Sequence, residues 1–203
     1  MAFQGMARTI GSSGEKTREA LRLAAIEHIC DHGYEATSLR ALAADIGMQG
    51  GSLYNHIASK QDLLFGLMTT VLDDLMVELE ARLDGVEDPL AALRVFVDLH
   101  IDFHTDRRKE VFISAMEMRS LTPENHRGVV VRRTRYEDRL CGILEAGNAA
   151  GLWRVREPRV ATYALIAMLS GVCNWFKPGG RLSKRALIDI HTDLVLRGLG
   201  EAE

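Results

Sequence analysis

The sequence predicts an all-α fold, with an N-terminal three-helix domain that contains a helix-turn-helix and a larger helical domain after it. Apolar residues recur at helical spacing along most of the chain, and no segment between turn signals alternates as a strand does. Residues 37–60 have the pattern of two short helices joined by a tight turn. Gly and Pro then divide the remaining sequence into further helices.

The composition excludes several classes of protein. The chain has 203 residues, of which 47% are apolar and 26% charged, as in ordinary globular domains. Cys30, Cys141 and Cys173 lie far apart and form no Cys-x-x-Cys pair, so neither a disulfide framework nor a zinc ribbon is predicted. No apolar run reaches the length of a membrane span and no signal peptide opens the chain. We therefore expect a cytoplasmic protein with no membrane partner.

The N-terminal region predicts an arm followed by one helix. Residues 1–14 contain a Gly-Ser-Ser-Gly stretch and are expected to be flexible. The first helix is predicted over residues 15–32, where Gly33 ends it. The apolar face of this helix carries Leu21, Ala24, Ala25 and Ile29. This face is expected to support the two helices that follow.

The stretch TSLRALAADIGMQGGSLYNHIASK predicts the helix-turn-helix. Thr37 and Ser38 are both suitable N-caps for a helix over residues 39–46, and Gly47 is a suitable residue to end it. A second short helix is predicted over about 50–57. Two helices joined by a short Gly-containing turn form the motif whose second helix enters the DNA major groove.

The segment from 17 to 68 resembles the N-terminal domain of the TetR (tetracycline-repressor) family of transcriptional regulators. The matching residues are Gly33-Tyr34, Thr37-Ser38-Leu39, Leu42-Ala43, Ile46-Gly47-Met48, Gly51-Ser52-Leu53-Tyr54-Asn55-His56, Ser59-Lys60 and Asp62-Leu63-Leu64. Ile57 departs from the Phe usual in the family, and Gln49 stands where Ser or Thr usually caps the recognition helix. The resemblance implies a homodimeric repressor, not an enzyme, that binds a palindromic double-stranded operator and is released by a small effector.

The candidate DNA-binding residues follow from their side-chain chemistry on this motif. Asn and Gln pair with adenine edges, while hydroxyl, imidazole and ammonium groups bind phosphates. Residues 1–60 carry six Lys and Arg against six Asp and Glu, so binding must depend on a few well-placed groups. The predicted contacts are Thr37, Ser38, Arg40, Gln49, Gly50, Ser52, Tyr54, Asn55, His56 and Lys60.

Helical patterns continue to the C-terminus. A long helix is predicted from residue 60 to 83, with Ser59 as its N-cap. Later helices are predicted at about 89–105, 107–119, 123–150, 158–176 and 183–198. We expect a flexible arm over 1–14, a DNA-binding domain over 15–60 and an effector-binding and dimerisation domain over 61–203.

The last two helices predict the dimer interface. The segment TYALIAMLSGVCNW is apolar on nearly all sides, which is typical of a helix that is covered all round. Together with the last helix it can form half of a four-helix interface in a two-fold dimer. The predicted interface residues are Leu165, Met168, Leu169, Val172, Trp175, Leu187, Ile190 and Leu194.

Aromatic, Met and Arg residues in the middle of the chain predict an effector site. Aromatic side chains can line an apolar cavity, and guanidinium groups match phosphates or a carboxylate. The alternative is that the apolar residues are ordinary core and the arginines a solvated helix face. The predicted effector-binding residues are Phe96, His100, Phe103, Phe112, Met116, Arg119, Arg132, Arg135, Tyr136 and Arg139.

The tract NWFKPGGRLS, with Tyr136-Glu137, Ala146-Gly147 and Gly151-Leu152 before it, resembles a TetR branch that controls lipid, sterol or aromatic-acid breakdown. Several members of that branch respond to acyl-CoA thioesters, so the resemblance implies such an effector or a hydrophobic acid. Two alternatives remain open: a helical adaptor without a specific operator, and a metal-dependent protein that uses His100 and His104. We predict no cofactor and no metal, because the histidines lack further ligands at fixed spacing.

Overall fold

The structure is a computed structural model that describes the backbone of residues 10–200 and the side chains of residues 14–200. Within these residues the chain is helical and contains no β-strand, which confirms the all-α prediction. The helices are α1 Ile10–His32, α2 Leu39–Asp45, α3 Gly50–Leu53, α4 Lys60–Leu83, α5 Pro89–Asp106, α6 Arg108–Met116, α7 Pro123–Ala149, α8 Pro158–Trp175 and α9 Lys184–Gly198, with a 3₁₀ turn at Glu117–Ser120 between α6 and α7.

Helices α1 and α3 differ most from their predicted boundaries. Helix α1 begins at Ile10, so residues 10–14 belong to it, while the rest of the predicted arm lies outside the described residues. Each residue added to an existing helix gains a backbone hydrogen bond, which extends α1 through a segment of weak propensity. Helix α3 ends at Leu53 and continues as turns, in which the amides of His56 and Ile57 both donate to the Leu53 carbonyl.

Side-chain caps and left-handed glycines set the helix ends. The Ser38 hydroxyl accepts from the amide of Ala41 at 3.1 Å, and the Ser59 hydroxyl accepts from Asp62 at 3.0 Å. Gly33 and Gly47 have φ angles of 79° and 67°, a conformation that costs little only without a side chain. These local signals explain why most boundaries agree with the sequence prediction.

The buried apolar residues form two clusters that meet in α4. The N-terminal cluster joins α1, α2 and α3 to the first half of α4, up to Met68, and includes Ile113 of α6 and Val129 of α7. The C-terminal cluster starts at Val71 and joins the second half of α4 to α5, α7, α8 and α9. The head, defined here as α1–α3 with the first half of α4, therefore extends beyond residue 60, where the sequence placed the domain boundary.

A tight contact closes the C-terminal end of α7. The indole of Trp153 lies over Gly147 and donates to the carbonyl of Leu144 at 2.9 Å. A methyl group on Gly147 would lie 1.8 Å from Cζ2 of Trp153. Trp153 itself is buried, so this contact fixes the turn into α8.

None of the helices between residues 10 and 200 has both the length and the apolar character that a membrane span needs.

Candidate functional site

Most predicted DNA contacts lie on the outer surface of the head. Gln49 occupies the N-cap position of α3 without a capping hydrogen bond from its side chain, so its amide remains exposed. Tyr54 is an exposed aromatic residue with 63% of its surface accessible. The other exposed residues of the set are Ser38, Arg40, Gly50, Ser52 and Asn55, and His56 is half-buried. The helix-turn-helix thus presents hydroxyl, amide and guanidinium groups on one small domain.

Two predicted contacts have structural roles. Thr37 is buried, and its hydroxyl donates to the Gly33 carbonyl at 3.0 Å, so it holds the turn between α1 and α2 and does not face outward. This corrects the prediction that Thr37 binds DNA. Lys60 donates to the carbonyl of Glu35 at 3.1 Å and lies 4.2 Å from the centre of the Tyr34 ring. Its half-buried ammonium keeps further donors available at the start of α4.

A cavity of ≈ 200 Å³ lies inside the C-terminal helices. Helices α4, α5, α6, α7 and α8 each contribute to its wall, which is mainly apolar. The polar groups are His100, His104, Ser114, Arg133, Tyr136, Glu137 and Ser170. His100, Phe103 and Tyr136, three of the predicted effector-binding residues, line this cavity. Phe96 is fully buried behind them, with its ring 4.9 Å from that of Tyr136.

The two cavity histidines are neutral and held in place. The nitrogens of His100 lie 3.0 Å from the Tyr136 hydroxyl and 3.0 Å from the Ser170 hydroxyl. Nδ1 of His104 lies 2.7 Å from the His100 carbonyl, and the two imidazoles stack with centres 3.8 Å apart. Burial lowers the pKa of His104 to about 4 and lowers the pKa of His100 well below its ordinary value. Both rings are therefore uncharged at neutral pH.

These hydrogen bonds do not favour the metal-site alternative. Both ring nitrogens of His100 and Nδ1 of His104 already have partners within the protein. Among the side chains of residues 14–200, no group of three His, Cys, Asp or Glu has a metal-binding arrangement. A metal ion here would have to displace the Tyr136 and Ser170 hydroxyls from His100.

Arg133 supplies a cation to the cavity that the sequence analysis did not select. Its guanidinium donates to the Ser114 carbonyl at 2.5 Å. Burial lowers the pKa of Arg133, although the neighbouring Glu137 opposes this effect, and the group remains charged at neutral pH. The inward face of α7 runs Val129, Arg133, Tyr136 and Leu140 at spacings of four and three. That spacing is the signal that identifies Arg133 from the sequence.

The predicted arginines of the effector site lie elsewhere. Arg132 donates to Asp73 at 2.9 Å and Arg139 to Glu80 at 3.1 Å, so both are ion-paired with the outer face of α4. Arg119 and Arg135 are exposed and do not line the cavity. None of these four arginines lines the cavity, and the helix face shared by Arg132, Arg135 and Arg139 points away from the core. Their contact with an effector outside the cavity stays a prediction.

A groove of ≈ 690 Å³ adjoins the cavity and contains Phe112 and Met116. Val111, Ala115 and Ser170 line both spaces, so the cavity and the groove share a wall. Two cations, Arg108 and Lys109, line the groove on α6. Phe112 and Met116 are 45% and 55% exposed and line this groove but not the cavity.

Helices α8 and α9 present an exposed apolar face. Trp175 and Leu194 are 56% and 53% exposed, and Met168 and Ile190 are also exposed. Leu165 is half-buried. By contrast, Leu169, Val172 and Leu187 are at most 1% exposed and pack in the core, which corrects their assignment to a surface interface.

Helix α6 connects the cavity to the head. Val111, Ser114 and Ala115 on α6 line the cavity. On the head side, Glu110 accepts from Arg22 of α1 at 2.7 Å, and Lys109 forms an ion pair with Glu27 of α1. After α6, the carboxylate of Glu117 accepts from the amide of Tyr34 at 3.2 Å, just before the helix-turn-helix.

Comparison with known proteins agrees with this architecture. The profile of the bacterial regulatory proteins of the tetR family matches residues 21–67. The profile of tetracyclin repressor-like C-terminal domains matches residues 86–199. The HTH-type transcriptional repressor KstR2 of Mycolicibacterium smegmatis is 27% identical over 200 residues, which is 98% of each chain.

Solved structures extend the similarity to the whole fold. A tetR-family regulatory protein from Rhodococcus RHA1 superposes with a TM-score of 0.85 at 26% identity, covering 93% of this chain and 99% of that one. AibR in complex with isovaleryl coenzyme A and operator DNA superposes with a TM-score of 0.80 at 31% identity, covering 87% of this chain and 96% of AibR. The chain belongs to the TetR family of bacterial transcriptional regulators.

Proposed function

We propose that the protein is a homodimeric repressor that binds a palindromic operator and releases it when a small effector occupies the cavity. The observation that carries this proposal is the position of α6. Its residues Val111 and Ser114 line the cavity, while Glu110 binds Arg22 of the head. A ligand that shifts α6 therefore acts on the orientation of α1 and the helix-turn-helix.

The dimer is proposed from the exposed apolar face of α8 and α9. Trp175, Ile190 and Leu194 would leave water on forming a two-fold, four-helix interface. Such a dimer presents two α3 helices to half-sites about 34–36 Å apart. An effector acts if it prefers the dimer in which this spacing is wrong, because differential affinity for the two states is all that release requires.

The effector class proposed is an acyl-CoA thioester or the corresponding hydrophobic acid. A cavity of ≈ 200 Å³ suits a short acyl group, and the adjoining groove has room for the coenzyme. Arg108 and Lys109 in the groove supply cations for phosphate groups. The similarity to AibR, solved with isovaleryl coenzyme A, supports the same class.

The direct test is fluorescence anisotropy of the protein on DNA from upstream of its own gene, with scrambled DNA as the control. We expect specific binding that weakens steeply with salt, and release by acyl-CoA esters. Equal binding to both DNAs would favour the adaptor alternative. Release by the free acids alone would keep the repressor and replace the thioester with an acid.

The roles of individual head residues are tested on the same two DNAs. Lys60→Ala removes a proposed phosphate contact and is expected to weaken binding to all sequences alike. Gln49→Ala and Ser52→Ala remove exposed groups on the recognition helix and are expected to change sequence preference instead. Equal losses on both DNAs for all three variants would contradict this division of roles.

A further inference from the structure

His104 has one ring nitrogen whose role is fixed by its partner. Nδ1 lies 2.7 Å from the backbone carbonyl of His100, and a carbonyl can only accept a hydrogen bond. Nδ1 therefore carries the proton. In a neutral imidazole the other nitrogen, Nε2, is then an acceptor and not a donor.

This acceptor belongs to the wall of the cavity. His104 is 8% exposed and lines the cavity, where its ring stacks on His100 with an angle of 11° between the planes. No hydrogen bond among the described residues involves Nε2 of His104, and this atom is accessible from the cavity, because no fully buried side-chain nitrogen or oxygen among those residues lacks a partner. The stacked ring cannot turn away without losing both the His100 carbonyl bond and this contact.

The other polar groups of the cavity differ from His104 in the hydrogen-bonding groups that they leave available to a ligand. Tyr136 and Ser170 are already hydrogen-bonded to His100. The guanidinium of Arg133 provides donors, and the carboxylate of Glu137, which lines the same cavity, attracts it electrostatically. The mainly apolar cavity thus presents a cationic donor at Arg133, with the Glu137 carboxylate one turn further along α7, and a neutral acceptor at His104.

We propose that the effector carries a hydroxylated acyl group, whose hydroxyl donates to Nε2 of His104 while its carbonyl or carboxylate oxygen accepts from Arg133. This proposal rests on the cavity being the effector site. A hydroxyl satisfies the free acceptor with the smallest addition of polar surface. An amide would add a second carbonyl that needs its own donor, and an ammonium would bring a second cation into the cavity that already contains Arg133.

The same chemistry is present in a hydroxy acid and in its thioester, so the experiment includes both. The probes are hexanoyl-CoA with 3-hydroxyhexanoyl-CoA, and benzoyl-CoA with its 3-hydroxy and 4-hydroxy derivatives, each also as the free acid. Binding to the full chain without DNA is measured by titration calorimetry. In at least one pair we expect the hydroxylated member to bind about tenfold more tightly, as one added hydrogen bond predicts.

Three variants separate the acceptor from general packing. His104→Phe keeps an aromatic ring but removes the acceptor, and is expected to bind both members of the pair alike. His104→Gln retains an acceptor oxygen and is expected to retain a preference. His191→Phe is the matched control, because His191 also bonds a carbonyl one turn earlier, that of Leu187, but lies outside the cavity.

The outcomes are distinct. Affinities within twofold for every pair, no binding by any probe, or a full preference in His104→Phe would each overturn the proposal. If His104→Phe does not fold, the proposal is still tested by the affinities of the wild type and of His104→Gln for each pair of probes. If the wild type does not bind the operator specifically, the repressor function is contradicted. A preference for the hydroxylated probe in calorimetry would still support the proposed ligand chemistry.

Discussion

Gly147 shows how a single residue can determine the packing of an entire turn. The indole of Trp153 occupies the space that a side chain at position 147 would need, and its Nε1 donates to Leu144. Glycine is needed here for space, since no left-handed conformation is involved within α7. A sequence pattern does not reveal this requirement, because Trp153 approaches from beyond the end of the helix.

A substitution at this position should be costly. We expect Gly147→Ala to lower the free energy of unfolding by about 3 kcal/mol, at the upper end of overpacking effects, because the Trp153 indole must move. Gly142→Ala on the same helix is the control, since no atom lies within 4 Å of the added methyl group. It should be stabilising by up to about 1 kcal/mol. Urea unfolding followed by circular dichroism compares the two, and similar losses in both variants would contradict the packing argument.

The buried histidines predict how stability depends on pH. Burial lowers the pKa of His104 from its ordinary 6.5 to about 4, so below pH 6.5 the unfolded chain binds a proton that the folded chain does not. The contribution of neutral His104 to the free energy of unfolding is complete above pH 6.5 and is lost as the pH falls toward 4. The full difference in pKa corresponds to about 3 kcal/mol.

This dependence has a direct control in His104→Phe. Urea unfolding of both proteins is measured between pH 7.5 and 4, in roughly half-unit steps over the range where histidine titrates. The variant should lose less stability over this range, because it has no imidazole to protonate on unfolding. Parallel pH profiles would mean that His104 does not contribute.

At the scale of elements, local signals predicted the helices, and tertiary packing determined which faces they bury. The caps at Ser38 and Ser59 are visible in the sequence and agree with the structure. Helical spacing also identifies residues that share a face, but not which neighbour that face meets. For this reason the sequence favours Arg132 as an effector-binding residue, whereas in the structure Arg132 pairs with Asp73 and Arg133 lines the cavity.

The same limit applies to α8. A helix that is apolar all round gives no sign of which side packs in its own core and which side remains for a partner. The structure places Leu169 and Val172 in the core and leaves Met168 and Trp175 exposed. The existence of both faces could be predicted, but their assignment depends on where α5 and α7 pack.

Helix α6 carries the prediction about coupling. Glu110→Gln weakens the charged contacts that Glu110 makes with Arg22 of the head and with Arg107. We expect unchanged effector affinity in the absence of DNA, and a reduction of about three- to tenfold in the effector's influence on operator affinity. Calorimetry and anisotropy measure the two quantities.

The matched control for this variant is Asp138→Asn. This variant removes the ion pair between Asp138 of α7 and Arg159 of α8, whose charged atoms lie 2.5 Å apart. Neither residue belongs to the head. Coupling should stay at the wild-type value in this control. A loss of coupling in both variants would indicate a general electrostatic effect and not a role for α6.

At the scale of the whole molecule, the proposed dimer predicts that the apolar face of α8 and α9 controls DNA binding from a distance. Trp175→Glu and Leu194→Glu place charges on exposed positions, so the monomer should keep its fold. We expect sedimentation velocity to show monomers and specific operator binding to be lost. Val77→Glu, at a position that is 70% exposed on α4, should remain dimeric.

A dimer that persists in both charged variants would place the interface elsewhere. A monomer that still binds the full operator with wild-type affinity would contradict the requirement for two recognition helices. Circular dichroism of each variant establishes that any loss is not due to unfolding.

Because α4 belongs to both hydrophobic clusters, the head cannot be transferred to another regulator as a unit that ends with the DNA-binding motif. In a hybrid regulator joined at residue 60, part of the core that packs against the head helices would come from the other parent. These core residues are Leu63, Leu64, Leu67 and Met68. A junction at residues 69–70 transfers these four α4 residues together with the head. Even there, Ile113 and Val129 of the recipient must fit the incoming head, so recombination between relatives should succeed only where these two positions already match.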